Sequence, residues 1–215
     1  MYPMYFHHRI HCAPRTWKAV ADHIGSVSAQ WPASGGGALY GVWRSQIGRP
    51  RDELTVITAW QAPPADMDVA PLLDGIADIV RHSAVAITPT LRPVSPEPPR
   101  RQGNYAFRWF KTPAHHWPEF LDLCAAAWPE FESSYDSQII GLWRATPDDN
   151  NTVRSLLVTR RPDLAMWERS KLPANDAEAE TRRKLSRRYD LCDDTVVCTS
   201  TLLTAADRED TARWT

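Results

Sequence analysis

Tyr40-Gly41-Val42-Trp43-Arg44 returns 100 residues later as Ile140-Gly141-Leu142-Trp143-Arg144. The same offset sets Tyr5-Phe6-His7-His8-Arg9-Ile10-His11 over Tyr105-Ala106-Phe107-Arg108-Trp109-Phe110-Lys111, and Trp17 over Trp117. At an offset of 101, Val56-Ile57-Thr58 meets Leu157-Val158-Thr159; at 111, Ile87-Thr88-Pro89-Thr90-Leu91 meets Cys198-Thr199-Ser200-Thr201-Leu202. The register changes only where loops or helix ends belong. Self-similarity at a fixed period marks a chain built from repeated structural units. The expectation is a tandem duplication, with one unit over residues 1–97 and a second over 98–215. A length of 215 residues suits two such small units.

The periodicity within each copy gives the same element order twice. Trp17, Val20, Ala21, Ile24, Val27 and Trp31 follow Pro14 at helical spacing, and Trp117, Phe120, Leu121, Cys124, Trp128 and Phe131 repeat the pattern after Pro113. Residues 39–45 and 53–61 are rich in β-branched and aromatic side chains and read as strands, joined by the turn Gly48-Arg49-Pro50-Arg51. Val69, Leu72, Leu73, Ile76 and Val80 predict a second helix in the first copy, and residues 84–91 a closing strand. Each copy is therefore expected as β-α-β-β-α-β, the ferredoxin-like order. The second copy is longer in its second helical region, where Asp176–Arg188 is highly charged. There Glu178 stands above Arg182 and Glu180 above Lys184 at i,i+4, the pattern of a solvated helix braced by its own ion pairs. Between the copies, Pro93–Gly103 holds four prolines and two adjacent arginines, the composition of an extended linker.

Composition removes several function classes. Twenty-five basic residues face 26 acidic ones, for a net charge of -1, so no overall field draws the chain to nucleic acid or an anionic membrane. No apolar run approaches the roughly 18 residues that span a bilayer, and the first residues lack signal-peptide order, so a cytoplasmic protein is expected. Cys12, Cys124, Cys192 and Cys198 form no CxxC pair and read as reduced structural thiols.

Gly41-Val42-Trp43-Arg44 then Gly48, followed by Leu54-Thr55-Val56-Ile57-Thr58-Ala59-Trp60, resembles the NIPSNAP family of the dimeric α+β barrel superfamily. The end of the first unit, Thr88-Pro89-Thr90-Leu91-Arg92-Pro93-Val94-Ser95-Pro96, is similar to the proline-serine-proline tail of those domains. The family's usual acidic-arginine-tyrosine alternation on its first strand is replaced here by Tyr5, His7 and Arg9, and by Tyr105, Phe107 and Trp109. The resemblance implies an α+β fold in which two four-stranded antiparallel sheets, each with helices on one face, pack as a pseudo-dimeric barrel around a ligand-binding lumen. Two copies in one chain imply a monomer with an intramolecular barrel, or a homodimer.

Side chains two apart on a strand share a face. On the first strand the more apolar set, Phe6, His8 and Ile10, is expected under the helices, which turns Tyr5, His7, Arg9 and His11 to the lumen. The equivalent set in the second copy is Tyr105, Phe107, Trp109 and Lys111. Apolar walls with a few convergent polar groups are the usual form of a small-molecule site. His7 is the expected proton carrier, because imidazole titrates near neutrality. Arg9 is suited to hold an oxyanion and Tyr5 to donate to developing charge. His11, Tyr105, Phe107, Trp109 and Lys111 are the expected substrate contacts.

No metal site is expected. His7 and His11 lie about 13 Å apart along a strand, beyond two donors at about 2.1 Å from one zinc. His115 and His116 diverge at a helix start. Haem, which several members of the wider superfamily bind through a helix histidine, has His82 and His23 as candidates. Gly35-Gly36-Gly37 lacks the lysine of a P-loop and the spacing of a dinucleotide fingerprint, and reads as a turn. No G-x-S-x-G elbow occurs. The expected function is a small-molecule enzyme performing acid/base chemistry, an isomerisation, cyclisation or oxygenation, on a hydrophobic or aromatic substrate. The alternatives are a non-catalytic NIPSNAP-like binding protein and a haem-dependent enzyme.

Overall fold

A computed structural model describes residues 2–31, 36–62, 73, 75–76, 78–146 and 151–208. The strands are β1 (Met4–Cys12), β2 (Gly37–Ile47), β3 (Glu53–Trp60), β4 (Ile79–Arg92), β5 (Asn104–Pro113), β6 (Gln138–Thr146), β7 (Thr152–Arg161) and β8 (Asp194–Leu202). The helices are α1 (Trp17–Ser28), α2 (Trp117–Ser134), α3 (Leu164–Arg169) and α4 (Asp176–Asp190). The fold is mixed α+β, and the strand pairings within each unit are antiparallel.

Two compact units result, one of Met1–Thr88, Ser95–Gln102 and Cys198–Thr215, the other of Pro89–Val94 and Gly103–Val197. They differ from the contiguous halves 1–97 and 98–215 because the last residues of β4 belong with the second unit and those of β8 with the first. The first unit orders its strands β4-β1-β3-β2-β8, and the second β8-β5-β7-β6-β4. The expected helix at Val69–Val80 lies mostly outside the described residues. Its end is strand instead, because β4 already begins at Ile79 and pairs with β1 through Cys12. That places His82 on a strand and corrects its expected position on a helix.

Each unit's core follows from alternation. In the first, Ile10 and Cys12 of β1 join Val42, Leu54 and Val56 beneath Trp17, Val20, Ala21 and Ile24 of α1. In the second, Phe110 of β5 joins Leu142 and Leu157 beneath Phe120, Cys124, Trp128 and Phe131 of α2. Pro118 occupies the first turn of α2, where its missing N–H costs no hydrogen bond. Gly48 turns the β2–β3 hairpin at a φ of 88°, a left-handed conformation that favours glycine. The four cysteines are free thiols.

The shared Gly-x-Trp motif has one physical cause in both units. A bulge at Tyr40 in β2, and at Ile140 in β6, shifts the register against β3 and β7. Immediately after it, the fully buried rings of Trp43 and Trp143 fold back over the glycine two residues earlier on the same face. A Cβ on Gly141 would sit 2.2 Å from the Trp143 ring, and one on Gly41 2.4 Å from Trp43.

α4 departs from its expected bracing. Glu180 does approach Lys184, at 3.9 Å. Glu178 instead serves the helix N-terminus and the preceding loop. Its carboxylate accepts from the Ala174 N–H and from the Tyr135 hydroxyl, and takes both contacts of Arg169 at 2.9 Å, while Asn175 caps its own N–H. The Ala174 N–H, then the Arg169 guanidinium and the Tyr135 hydroxyl, hold this carboxyl below its ordinary range against the opposing effect of burial. Arg182 is thereby released from an acidic partner at i−4.

Replacing Gly141 with Ala should destabilise the protein by about 1–3 kcal/mol, the cost of overpacking a filled core. Gly25→Ala, on α1 where an added methyl meets nothing within 4 Å, should stabilise it by about 0.5–1 kcal/mol. Thermal melts of the two variants should move in opposite directions.

Candidate functional site

The first strand presents its side chains as alternation dictates. Phe6, His8, Ile10 and Cys12 lie on the helix-covered face of the first unit; Tyr5, His7, Arg9 and His11 share the other. Tyr5 and His7 are sealed, at 0% and 4% exposure. Burial, and then Tyr2, pushes the Tyr5 phenol up to about 12. Arg9 is committed to Glu53 through two 2.8 Å hydrogen bonds, a bidentate pair that raises its pKa further. Its guanidinium is therefore partnered within the unit. Arg9 and His11 line a cavity of about 210 Å³ with Glu53, Arg81 and Ser83.

In the second unit Tyr105 and Phe107 are buried, Trp109 carries the Arg154 guanidinium 4.3 Å from its ring centre, and Lys111 is exposed at the strand end. The structure thus brings Arg9 and His11 to one cavity. Tyr5, His7, Tyr105 and Phe107 are each closed to solvent.

The haem candidates are placed otherwise. His23 is exposed on α1. His82 pairs with His8, their ring nitrogens 2.9 Å apart and the rings stacked. His8 is buried, and its other nitrogen lies 3.0 Å from Thr58 Oγ1, which also accepts from Trp60 Nε1 at 2.9 Å. Burial, then His82 and His7, lowers the His8 pKa well below its ordinary value.

The more informative cavity, of about 110 Å³, lies on the helix-covered side of the second unit's sheet. β5 supplies Ala106 and Arg108, and β7 supplies Leu157, Thr159 and Arg161. α2 and the start of β6 supply Trp128, Phe131 and Ile139, while α3 and the loop after it supply Trp167, Ser170 and Lys171. α4 closes it with Arg182, Leu185, Arg188 and Tyr189, residues one face of a helix can present together. No aspartate or glutamate lines this cavity among the described residues.

Aromatic rings stand where counter-ions would be. The Arg161 guanidinium is 5.1 Å from the Phe131 ring centre and 5.2 Å from Trp167. Arg108 is 5.3 Å from Tyr189, and Arg188 is 5.0 Å from Phe110 and 5.7 Å from Phe120. Such contacts offset part of the cost of removing a cation from water. Burial lowers the Arg108 pKa, with Arg188 and Arg182 adding to the effect. Burial, and then Arg108 and Arg182, brings Arg161 down to about 10. Arg188 is 5% exposed, with Nη1 3.5 Å from Cys124 Sγ. The Nε atoms of Arg161 and Arg188 are buried without a hydrogen-bond partner.

The amino-acid sequence signals this site only faintly, because its residues imitate ordinary patterns. Arg108 interrupts the apolar, helix-facing set of β5, and that is the one visible anomaly. Arg182 and Arg188 sit in a helix whose charge pattern reads as solvated.

No family model matches the chain, and no curated protein sequence matches it. The NIPSNAP resemblance therefore rests on its short motifs. Solved structures do match. A candidate monooxygenase of Lactobacillus acidophilus NCFM has a TM-score of 0.59 at 12% identity, over 98% of this chain and 100% of that one. An anthrone oxidase-like protein has a TM-score of 0.60 at 11% identity, over 99% and 97%. Chlorite dismutase from Candidatus Nitrospira defluvii has 0.58 at 9%, over 94% and 91%. At these identities the likeness establishes the fold alone, a mixed α+β one.

A haem does not fit the helix-side cavity. Among the described residues no imidazole or thiol lines it to hold the iron. No group of three or more His, Cys, Asp or Glu able to hold a metal occurs among the described residues. Among them, too, no helix is long and apolar enough to cross a membrane.

The buried His8 makes stability depend on pH. The unfolded chain protonates it below about pH 6.5, whereas the folded protein does so only at lower pH. Stability is therefore retained above that value and lost as pH falls beneath it. Urea midpoints should drop between pH 7.5 and 5.5, and His8→Gln should flatten that drop. An unchanged slope would remove His8 as its source.

Proposed function

We propose that this protein is a small-molecule enzyme whose substrate, apolar or aromatic, binds in the helix-side cavity of the second unit. The carrying observation is that one cavity combines the rings of Trp128, Phe131, Trp167 and Tyr189 with a set of arginines. Apolar walls with few polar groups suit a small organic ligand. The similar structures support an enzyme, since they include a candidate monooxygenase, an anthrone oxidase-like protein and a chlorite dismutase.

Isomerisation, cyclisation and cofactor-independent oxygenation of an aromatic substrate share an early step. A substrate proton is lost, and the electron pair settles on an oxygen as enolate or phenolate. Guanidinium groups fixed beside that oxygen stabilise the charge as it develops, and a partly dry site magnifies the effect. Arg108 and Arg188 are the residues best placed for this role, with Tyr189 as the neighbouring hydroxyl. The proton departs to solvent at the mouth, which exposed Lys171 marks.

A non-catalytic binding protein is the second reading. It is favoured by one observation: the ionisable lining among the described residues is arginine, lysine and tyrosine, with no histidine to carry a proton.

Titration with 2-naphthol, followed by tryptophan fluorescence, should give a saturable change because two tryptophans line the cavity. Ala106→Leu, which fills the cavity floor, should weaken binding at least tenfold while leaving the thermal midpoint within a few degrees. Oxygen uptake and ultraviolet absorbance with bicyclic phenols should then show turnover in the wild type that Ala106→Leu loses. Binding without turnover selects the second reading. Binding unaffected by Ala106→Leu overturns both, as does a failure of both 2-naphthol and 2-naphthoate to bind.

A further inference from the structure

We infer that the helix-side cavity of the second unit recognises an anionic group, and that the ligand is an aromatic carboxylate whose charged oxygens dock on Arg108, Arg161 and Arg188. This rests on the cavity being the substrate site, and it names the class of substrate.

Arg108, Arg161, Arg182 and Arg188 line one small space without a lining carboxylate among the described residues, while Lys171 at its mouth is paired with Glu168 at 2.8 Å. The acidic side chains nearby in the fold are occupied elsewhere. Glu178 is held by Arg169, Tyr135 and the Ala174 N–H; Glu180 pairs with Arg183; Glu119 pairs with Arg187; Asp163 caps α3. None of these is at liberty to neutralise the cluster. Burial first, and then the neighbouring arginines, lowers the pKa values of Arg108 and Arg161.

Hydrogen bonding gives the second, independent observation. Arg188 is 5% exposed, yet its Nε finds no acceptor, and the Nε of Arg161 is likewise buried and unmatched. A buried donor without a partner carries the full cost of its desolvation. A ligand bringing acceptor oxygens would satisfy these donors and the cluster's charge in one step. Guanidinium suits a carboxylate in particular, because its planar fork matches the two oxygens.

The remaining surface selects what carries that carboxylate. Phe131 and Trp167 flank Arg161, and Trp128, Leu157 and Leu185 complete an apolar wall. A bare inorganic anion would leave that wall unused. An aromatic ring bearing its charge at one end would use both halves of the lining.

Two isosteric probes separate this inference from the reading beneath it. Purified full-length protein is titrated with 2-naphthoate and 2-naphthol at equal ionic strength, by tryptophan fluorescence and calorimetry. Naphthoate should bind at least tenfold tighter. Arg108→Gln, which removes a docking guanidinium, and Arg182→Gln, which removes a neighbouring lining charge, should each weaken naphthoate at least fivefold more than they weaken naphthol. Their ligand-free thermal midpoints should not fall, because each removes one of several repelling charges. Should a variant fail to fold, the wild-type melts decide the point: naphthoate should raise the midpoint more than naphthol at the same concentration. Equal or tighter binding of naphthol overturns the inference and leaves the substrate cavity standing. A naphthoate preference undiminished in both variants also overturns it. Binding of neither probe overturns the substrate cavity, and the inference with it.

Discussion

An antiparallel strand has two faces and one period, and in each unit of this protein the helices cover one face of the sheet. Every side chain on β1 and β5 is assigned by that constraint to the helix side or the other side, with neighbours parted and alternate residues joined. Phe6, His8, Ile10 and Cys12 go beneath α1, and Ala106, Arg108 and Phe110 beneath α2 and α4. One step along the strand, His7 and Phe107 go the opposite way. The Trp-over-glycine packing after each bulge fixes this phase, since a one-residue slip would leave Trp43 and Trp143 nowhere to lie.

The two units spend this arrangement differently. Beneath α1, the polar groups on the helix side satisfy each other, in a chain from Trp60 through Thr58 and His8 to His82. Beneath α4, the charged groups lining the cavity are all cationic. Their tolerance comes from the aromatic rings of Phe110, Phe120, Phe131, Trp167 and Tyr189, and from Glu178, which ties the α3–α4 loop to α2 and leaves the arginines without a rival anion. A site built this way is preorganised for negative charge, because its donors are already desolvated and held before the ligand arrives. The likeness to solved structures establishes the fold alone, and the chemistry proposed rests on these residues.

Much of the organisation was legible beforehand. The Gly-x-Trp anchors at an offset of 100, the helical runs beginning at Trp17 and Trp117, and the alternation on β1 predicted the α+β fold and the face of each β1 side chain. The helical reading ending at Val80 failed because apolar residues spaced three and four apart also occur where a strand begins, and cross-strand pairing with β1 decided the outcome. Charge pairs were misassigned for a related reason. Spacing allowed Glu178 to serve Arg182, but the orphan N–H groups at the start of α4 and the approach of Arg169 offered that carboxylate more.

What the chain's own order determined, then, is which residues alternate, which are four apart, and which recur, because those follow from backbone geometry common to all strands and helices. What only tertiary structure decided is which charges are compensated. Arg9 looked available and is matched by Glu53 from the neighbouring strand, while Arg108, Arg161 and Arg188 looked ordinary and gather without an acid from three separate elements, β5, β7 and α4. Electrostatic pairing depends on distance through space, and no local pattern carries it.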